Sequence, residues 1–254
     1  MSKATQLGTW ARLGYVARGL IFILVGYVAL TSPRAKSGSD LFETVETMTS
    51  GTLLLAIIAV GAFGYGLFKL YDAAKNLENH DDDATGKAKR AFIAVGGLSY
   101  WILAYLALKQ LFGSDGGGTS KEEAAEAVSQ AGGDFLIIGL GLGLLVAGAF
   151  QIKKAATKEY MSKLVGSTPP GVEWAGLGGY VARGITLLVT GWYVFQGGLG
   201  SGEEVKGLGE TLDTMRDTGL LYTALCVGLI LFGLFSLVEA KYRTVPDEDV
   251  RPGH

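Results

Sequence analysis

A single cysteine, two histidines and a small share of charged residues set the first limits on this sequence. Cys226 has no second thiol to meet, so no disulfide and no cysteine-built metal site can form within one chain. His80 precedes Asp81, Asp82 and Asp83, but the group sits in a short linker with Asn79, Thr85 and Gly86 and reads as a solvated loop. His254 reads as a frayed terminus. No long apolar stretch carries an aspartate, glutamate or histidine near its middle, where a proton relay or an embedded catalytic centre needs one. Hydrolysis within the membrane, metal chemistry and histidine-ligated haem all lack their residues. The expectation is a protein that is not an enzyme, with no catalytic residues, no cofactor and no metal.

What is present is apolar length. Of the 254 residues 49% are hydrophobic and 18% charged, and the mean hydropathy is +0.33. The apolar residues are bunched into six blocks, about 14–31, 51–71, 91–112, 134–152, 177–196 and 219–240. Each is near the ~20 residues that cross ~30 Å of hydrocarbon. The first block lacks the charged flank, short apolar core and cleavage site of a removed signal, so it too is expected to span. Most of the 39 glycines fall inside the blocks, where small residues let helices approach closely. The run GLGLGLLVAG (139–148) superficially matches a nucleotide loop, but GxGxxG requires a preceding strand, and these glycines lie within an apolar run.

Charge sets an expected orientation. If both termini are cytoplasmic, 16 of the 22 lysines and arginines share that side, as the positive-inside rule requires. The outer loops then carry a net charge of −7, which argues against nucleic acid there. The expected location is a bacterial cytoplasmic (inner) membrane.

The hexapeptide GYVARG occurs at 14–19 and again at 179–184. LFETVETMTSGTLLLAIIAVGAFGYGLFKLYDA (41–73) likewise lines up with LGETLDTMRDTGLLYTALCVGLILFGLFSLVEA (208–240). A weaker middle repeat fits between them: AYLAL (104–108) matches GYVAL (26–30), and AGAFQIKKA (147–155) matches YGLFKLYDA (65–73). The expected fold is therefore all-α and polytopic: three helical hairpins, 11–76, 89–164 and 174–243, in one membrane domain of six spans. Each unit crosses twice, so the repeats are parallel and imply a pseudo-three-fold axis along the membrane normal. Each outer loop is expected to hold a short amphipathic helix, capped by Asp40 with Glu43, Ser120 with Glu123, and Ser201 with Glu204. In the first, Leu41, Phe42, Val45 and Met48 share a face; in the third, Leu208, Leu212 and Met215 do.

The chain resembles domain-of-unknown-function family 1206, bacterial membrane proteins built from three two-helix repeats. The likeness rests on both GYVARG motifs, GGLSY (96–100), the segment around Tyr160 and FSLVEAKYR (235–243), and it covers nearly the whole chain. It implies the six-helix fold and carries no reaction, cofactor or substrate.

The arginines of the motif lie just inside the expected cytoplasmic boundary, where a long side chain can snorkel towards headgroups. The second helix of the first repeat ends near Asp72 and that of the third near Glu239; the middle repeat has Gly96 and Lys154 at the two positions. Arginine and acid vanish together, which suggests Arg18–Asp72 and Arg183–Glu239 ion pairs clasping the feet of each hairpin. Pairing between repeats, Arg18 with Glu239, fits the sequence as well, and so does lipid phosphate on the same guanidiniums. Trp101, Tyr105 and Trp192 lie within blocks, as lipid-facing packing or as the lining of a lipid- or polyene-sized groove. Ser99, Thr186, Thr190 and Thr223 are too sparse to describe an aqueous pore. The expected partners are the lipid bilayer and either another membrane protein or a bound hydrophobic ligand such as a lipid or polyene. The alternative is a small-solute transporter or channel with its path along the pseudo-three-fold axis.

Overall fold

The structure, a computed structural model, describes residues 3–31, 51–77, 81–112, 134–200 and 208–244. The expected amphipathic segments of the first two outer loops, all three capping pairs, His80 and His254 lie outside the described residues. Each apolar block folds as a long helix: α1 (Lys3–Thr31), α2 (Gly51–Lys75), α3 (Ala84–Leu111), α4 (Asp134–Thr157), α5 (Val172–Gly198) and α7 (Leu220–Tyr242). A short helix, α6 (Leu208–Thr214), and a 3-10 turn (Arg216–Thr218) precede α7. The only β feature among the described residues is an isolated antiparallel bridge between Leu164 and Arg243. Helices suit such apolar sequences because each satisfies its own backbone hydrogen bonds without water.

Among the described residues, five helices are long and apolar enough to cross a membrane: Ala11–Thr31, Gly51–Lys75, Ala84–Leu111, Ile137–Thr157 and Leu220–Tyr242. Helix α5 has the length, 27 residues, but Glu173, Arg183, Thr186, Thr190 and Gln196 dilute its apolarity.

Several helices also outrun their apolar blocks. Helices α1, α3 and α5 begin earlier than the blocks do, and α2 and α4 end later. A helix needs capped ends rather than apolar side chains. At α3 the Asp83 carboxylate accepts from the Gly86 N–H at 2.7 Å. At the end of α2 the Arg90 guanidinium donates to the carbonyls of Ala73 at 2.9 Å and Ala74 at 3.1 Å, neutralising the exposed C-terminal dipole.

The helices form an open arc. Its order is α3, α2, α1, α7, α5, α4, each packed on the next, whereas α3 and α4, consecutive long helices, make at most marginal contact. Burial follows the arc: half or more of the most apolar stretch is buried in α1, α2 and α7, but only 19% in α3 and 11% in α4.

Glycine explains both the closed seams and the open one. Three seams of the arc are built on facing glycines. A Cβ on Gly233 would lie 2.5 Å from the Gly19 carbonyl, one on Gly66 2.7 Å from that of Gly97, and one on Gly148 2.8 Å from that of Gly184. In the aligned repeats these are the same two positions three times over, so one close backbone approach is used at all three seams. Within the first repeat, Gly61 meets Ala17 and Gly14 meets Tyr65; within the third, Gly228 meets Ala182 and Gly179 meets Phe232. The middle repeat has Phe92 in place of Gly14 and Val95 in place of Ala17. Gly143, the counterpart of Gly61 and Gly228, accordingly faces nothing within 4 Å. There α3 lacks the small-residue face on which the other two hairpins close.

Candidate functional site

The two motif arginines meet different neighbours. Arg18 is 6% exposed on α1. Its Nε donates to Ser236 Oγ at 3.0 Å and its Nη1 to Tyr65 Oη at 3.1 Å. Its Nη2 pairs with Glu239, itself 1% exposed. The guanidinium also stands 4.7 Å from the Tyr15 ring centroid and 5.2 Å from that of Phe232. The other Glu239 oxygen accepts from Arg243. Every polar atom of this guanidinium–carboxylate centre faces a charged or hydroxyl partner, the condition under which burying an ion pair is tolerable. Ser236 is held in turn by donating to the Phe232 carbonyl at 2.8 Å.

The clasp therefore joins α1 to α7, the two ends of the chain, rather than the two feet of one hairpin. Neither Arg18–Asp72 nor Arg183–Glu239 is the pair formed. Glu239 reaches across the seam where Gly19 and Gly233 bring α1 and α7 together, a proximity of residues 221 positions apart. Asp72 is buried and has Lys69 at 3.7 Å. Lys69, which occupies the position that Ser236 holds in the third repeat, brings a cation near Asp72 on the same helix.

Among the described residues no carboxylate pairs with Arg183. Its guanidinium carbon lies 4.8 Å from the Phe232 ring centroid and 5.2 Å from that of Phe22, and those two rings meet edge-to-face at 4.8 Å. Its Nε is buried without a hydrogen-bond partner. The helix packed on α5 from the preceding repeat is α4, and its counterparts of Ser236 and Glu239 are Gln151 and Lys154. The same motif thus faces an acid in one place and a base in the other. Phe232 lies near both guanidiniums, a cation–π arrangement worth about 0.5–2 kcal/mol per contact.

The expected groove aromatics lie on two helices, Trp101 and Tyr105 on α3 and Trp192 on α5. Trp101 packs from α3 onto α2, stacked on Phe63 at 5.6 Å and donating from Nε1 to the Phe63 carbonyl at 3.2 Å. Tyr105 on α3 and Trp192 on α5 are exposed. Near the other end of the bundle from the clasp, α6 seats Leu212 and Thr211 in the interior, and Thr190 donates to Thr211 at 3.1 Å between two buried hydroxyls. Met215 packs beside Leu212 as the apolar stripe requires; the Leu208 side chain lies outside the described residues.

Residues 158–171 brace the clasp end. Tyr160 donates to the Glu173 carbonyl at 2.8 Å and stacks on Tyr180 at 5.1 Å. The Val165 N–H reaches the Tyr242 carbonyl at 2.8 Å. Lys158, outside the apolar segments, pairs with Glu173, and that hydrogen bond and charge hold its ammonium pKa above the ordinary lysine value.

Apolar helices of membrane-crossing length, glycine-faced seams and a buried ion pair define a polytopic helical membrane protein. Residues 13–76, 92–158 and 178–243 match the family described as Domain of Unknown Function (DUF1206), and the chain belongs to that family. It is 28% identical over 262 residues to an uncharacterised protein, YxxB, of Bacillus subtilis (strain 168), an alignment covering 96% of this chain and 95% of that one. No solved structure matches it.

Proposed function

We propose that this chain is a non-catalytic protein of a bacterial cytoplasmic membrane that holds a hydrophobic ligand or a partner membrane protein at the side left open by its middle repeat. On this reading α5 is the sixth span, both termini are cytoplasmic, and the three hairpins are related by a pseudo-three-fold axis normal to the membrane. The carrying observation is the α3–α4 seam, where Gly143 faces open space although its two counterparts are in tight contact. Polar residues on α5 are compatible with spanning, because Thr186 donates to its own helix at the Ala182 carbonyl (2.9 Å) and Thr190 to Thr211.

A photo-crosslinking residue at Gly139, which has nothing within 4 Å, tests the reading in native membranes. The expected result is a discrete adduct absent when the same residue replaces exposed Leu53 on α2. Identical adducts at both positions would reduce the seam to ordinary lipid-facing surface. Topology is tested separately: cysteine at Ser114 should react with an impermeant reagent from outside and cysteine at Ala84 should not.

A further inference from the structure

We infer that an anionic phospholipid seats its phosphate in the cavity between the feet of α2 and α3, on Lys87 and Arg90. This goes beyond the reading above and is separate from it, because the α2–α3 seam closes on Gly66 and Gly97 whether or not the α3–α4 side is occupied. The cavity measures about 480 Å³, within the ~300–1,000 Å³ of ligand pockets. Leu70, Ala73 and Ala94 line the part nearer the middle of the two spans, and Lys87 and Arg90 the part nearer the helix ends. Lys87 and Ala94 are seven residues apart, roughly 10 Å along a helix. The headgroup layer of one leaflet is about 5–7 Å thick, so the cavity runs from headgroup level into hydrocarbon.

Both cations are available to a phosphate. The Ala73 and Ala74 carbonyls, at 2.9 and 3.1 Å, hold the Arg90 fork in place but leave its formal charge uncompensated. Lys87 is exposed, and no carboxylate pairs with either residue among the described residues. Asp83, four residues before Lys87, is engaged by the Gly86 N–H. An oriented guanidinium beside an ammonium on a flexible stem suits a lipid phosphate. The α7–α1 seam shows how the apolar space arises. There Arg12 holds the register position of Arg90 and donates to the Lys241 carbonyl at 3.4 Å, the counterpart of the Arg90–Ala74 bond. Leu237 and Ala240 likewise match Leu70 and Ala73, but Leu13 and Val16 stand where α3 has Ala91 and Ala94. Val16 packs into the cluster that includes Ala240. The α2–α3 foot thus keeps its arginine and a lysine while lacking side-chain volume that the α7–α1 foot has. A free phosphate gains nothing from the apolar part, and a neutral lipid gains nothing from two uncompensated cations. An amphiphile with an anionic head satisfies both.

The test is native mass spectrometry of the full chain, released in mild detergent from phosphatidylcholine nanodiscs that hold a minority of phosphatidylglycerol with the same acyl chains. One retained phosphatidylglycerol per chain is expected. Lys87→Gln should lower that retention about fivefold, the effect of one lysine on an anionic lipid, and Lys87→Arg should restore it. Lys89→Gln removes the same charge from an exposed residue outside the cavity and should leave retention unchanged. Ala94→Val copies the side chain at the α1 register and should lower retention by filling the apolar part, with the melting temperature maintained. Equal losses in Lys87→Gln and Lys89→Gln would reduce the effect to general surface charge and overturn the proposal. Unchanged retention in Lys87→Gln, or in a folded Ala94→Val, also overturns it, as does retention of phosphatidylcholine at the same level. Displacement of the lipid by inorganic phosphate alone would assign the site to a free anion and overturn it too. Should Ala94→Val fail to fold, the contrast between Lys87→Gln and Lys89→Gln decides by itself. None of these outcomes bears on the Gly139 adduct, which tests the α3–α4 side alone.

Discussion

Arg18 and Arg183 begin from the same six letters and end in different chemistry. Around Arg18 the acceptors are supplied by α7, whose Ser236 and Glu239 face it across the Gly19–Gly233 seam. Around Arg183 the corresponding seam, Gly148–Gly184, is equally close, but α4 brings glutamine and lysine to those positions. Backbone geometry is conserved between the two seams while the electrostatic content is permuted. A motif read along one helix therefore says where a guanidinium goes and not what it meets, because its partner is a property of the adjacent repeat.

The sharpest way to break this comparison is to remove the acid. Glu239→Gln strands both Arg18 and Arg243, and the loss expected for an uncompensated buried charge is about 3–5 kcal/mol, read as a fall in thermal stability in detergent. The double variant Arg18→Gln with Glu239→Gln should lose less than the two single changes added together. Strict additivity would show that the pair is incidental.

A second, smaller contrast tests the seams themselves. Gly233→Ala places a methyl 2.5 Å from the Gly19 carbonyl and should cost about 1–3 kcal/mol by overpacking. Gly143→Ala meets nothing within 4 Å and should be neutral or stabilise by up to about 1 kcal/mol through helix propensity. If both changes destabilise alike in a thermal melt, the open seam is closed in the membrane.

Arg183→Gln in lipid-depleted detergent removes only ring contacts, so its cost should stay below about 1 kcal/mol, far less than that of Arg18→Gln. Equal losses would erase the difference between the two feet. Smallest of all is Lys158→Met. The raised ammonium pKa means that its pairing with Glu173 contributes below the ordinary lysine pKa and is lost as pH rises through the higher folded value. Both side chains are about half exposed, so melts across that alkaline window should show no shift.

Much of the architecture was legible in the letters. Runs of apolar residues announce long helices because uncapped backbone in hydrocarbon has no alternative, and the repeated GYVARG announced a recurring segment, which the family matches three times along the chain. The helix ends were less legible, since caps such as Asp83 with Gly86 and Arg90 with Ala73 carry polar turns beyond the apolar blocks. The clasp was half legible. Loss of Arg and acid together in the middle repeat identified the residues involved, but the same pattern is produced by pairing within a hairpin and by pairing between hairpins.

By itself the sequence determined the helical class, the family and the positions of charge at the feet, since these follow from local composition and from register within a repeat. Tertiary structure decided that Arg18 belongs to Glu239 and that Arg183 is left over aromatic rings. It also decided that α3 and α4 stand apart. The reason is common to all of these: each depends on which helix lies across a seam, and the close seams are those where small residues let backbones touch, a face that Phe92 and Val95 replace on α3.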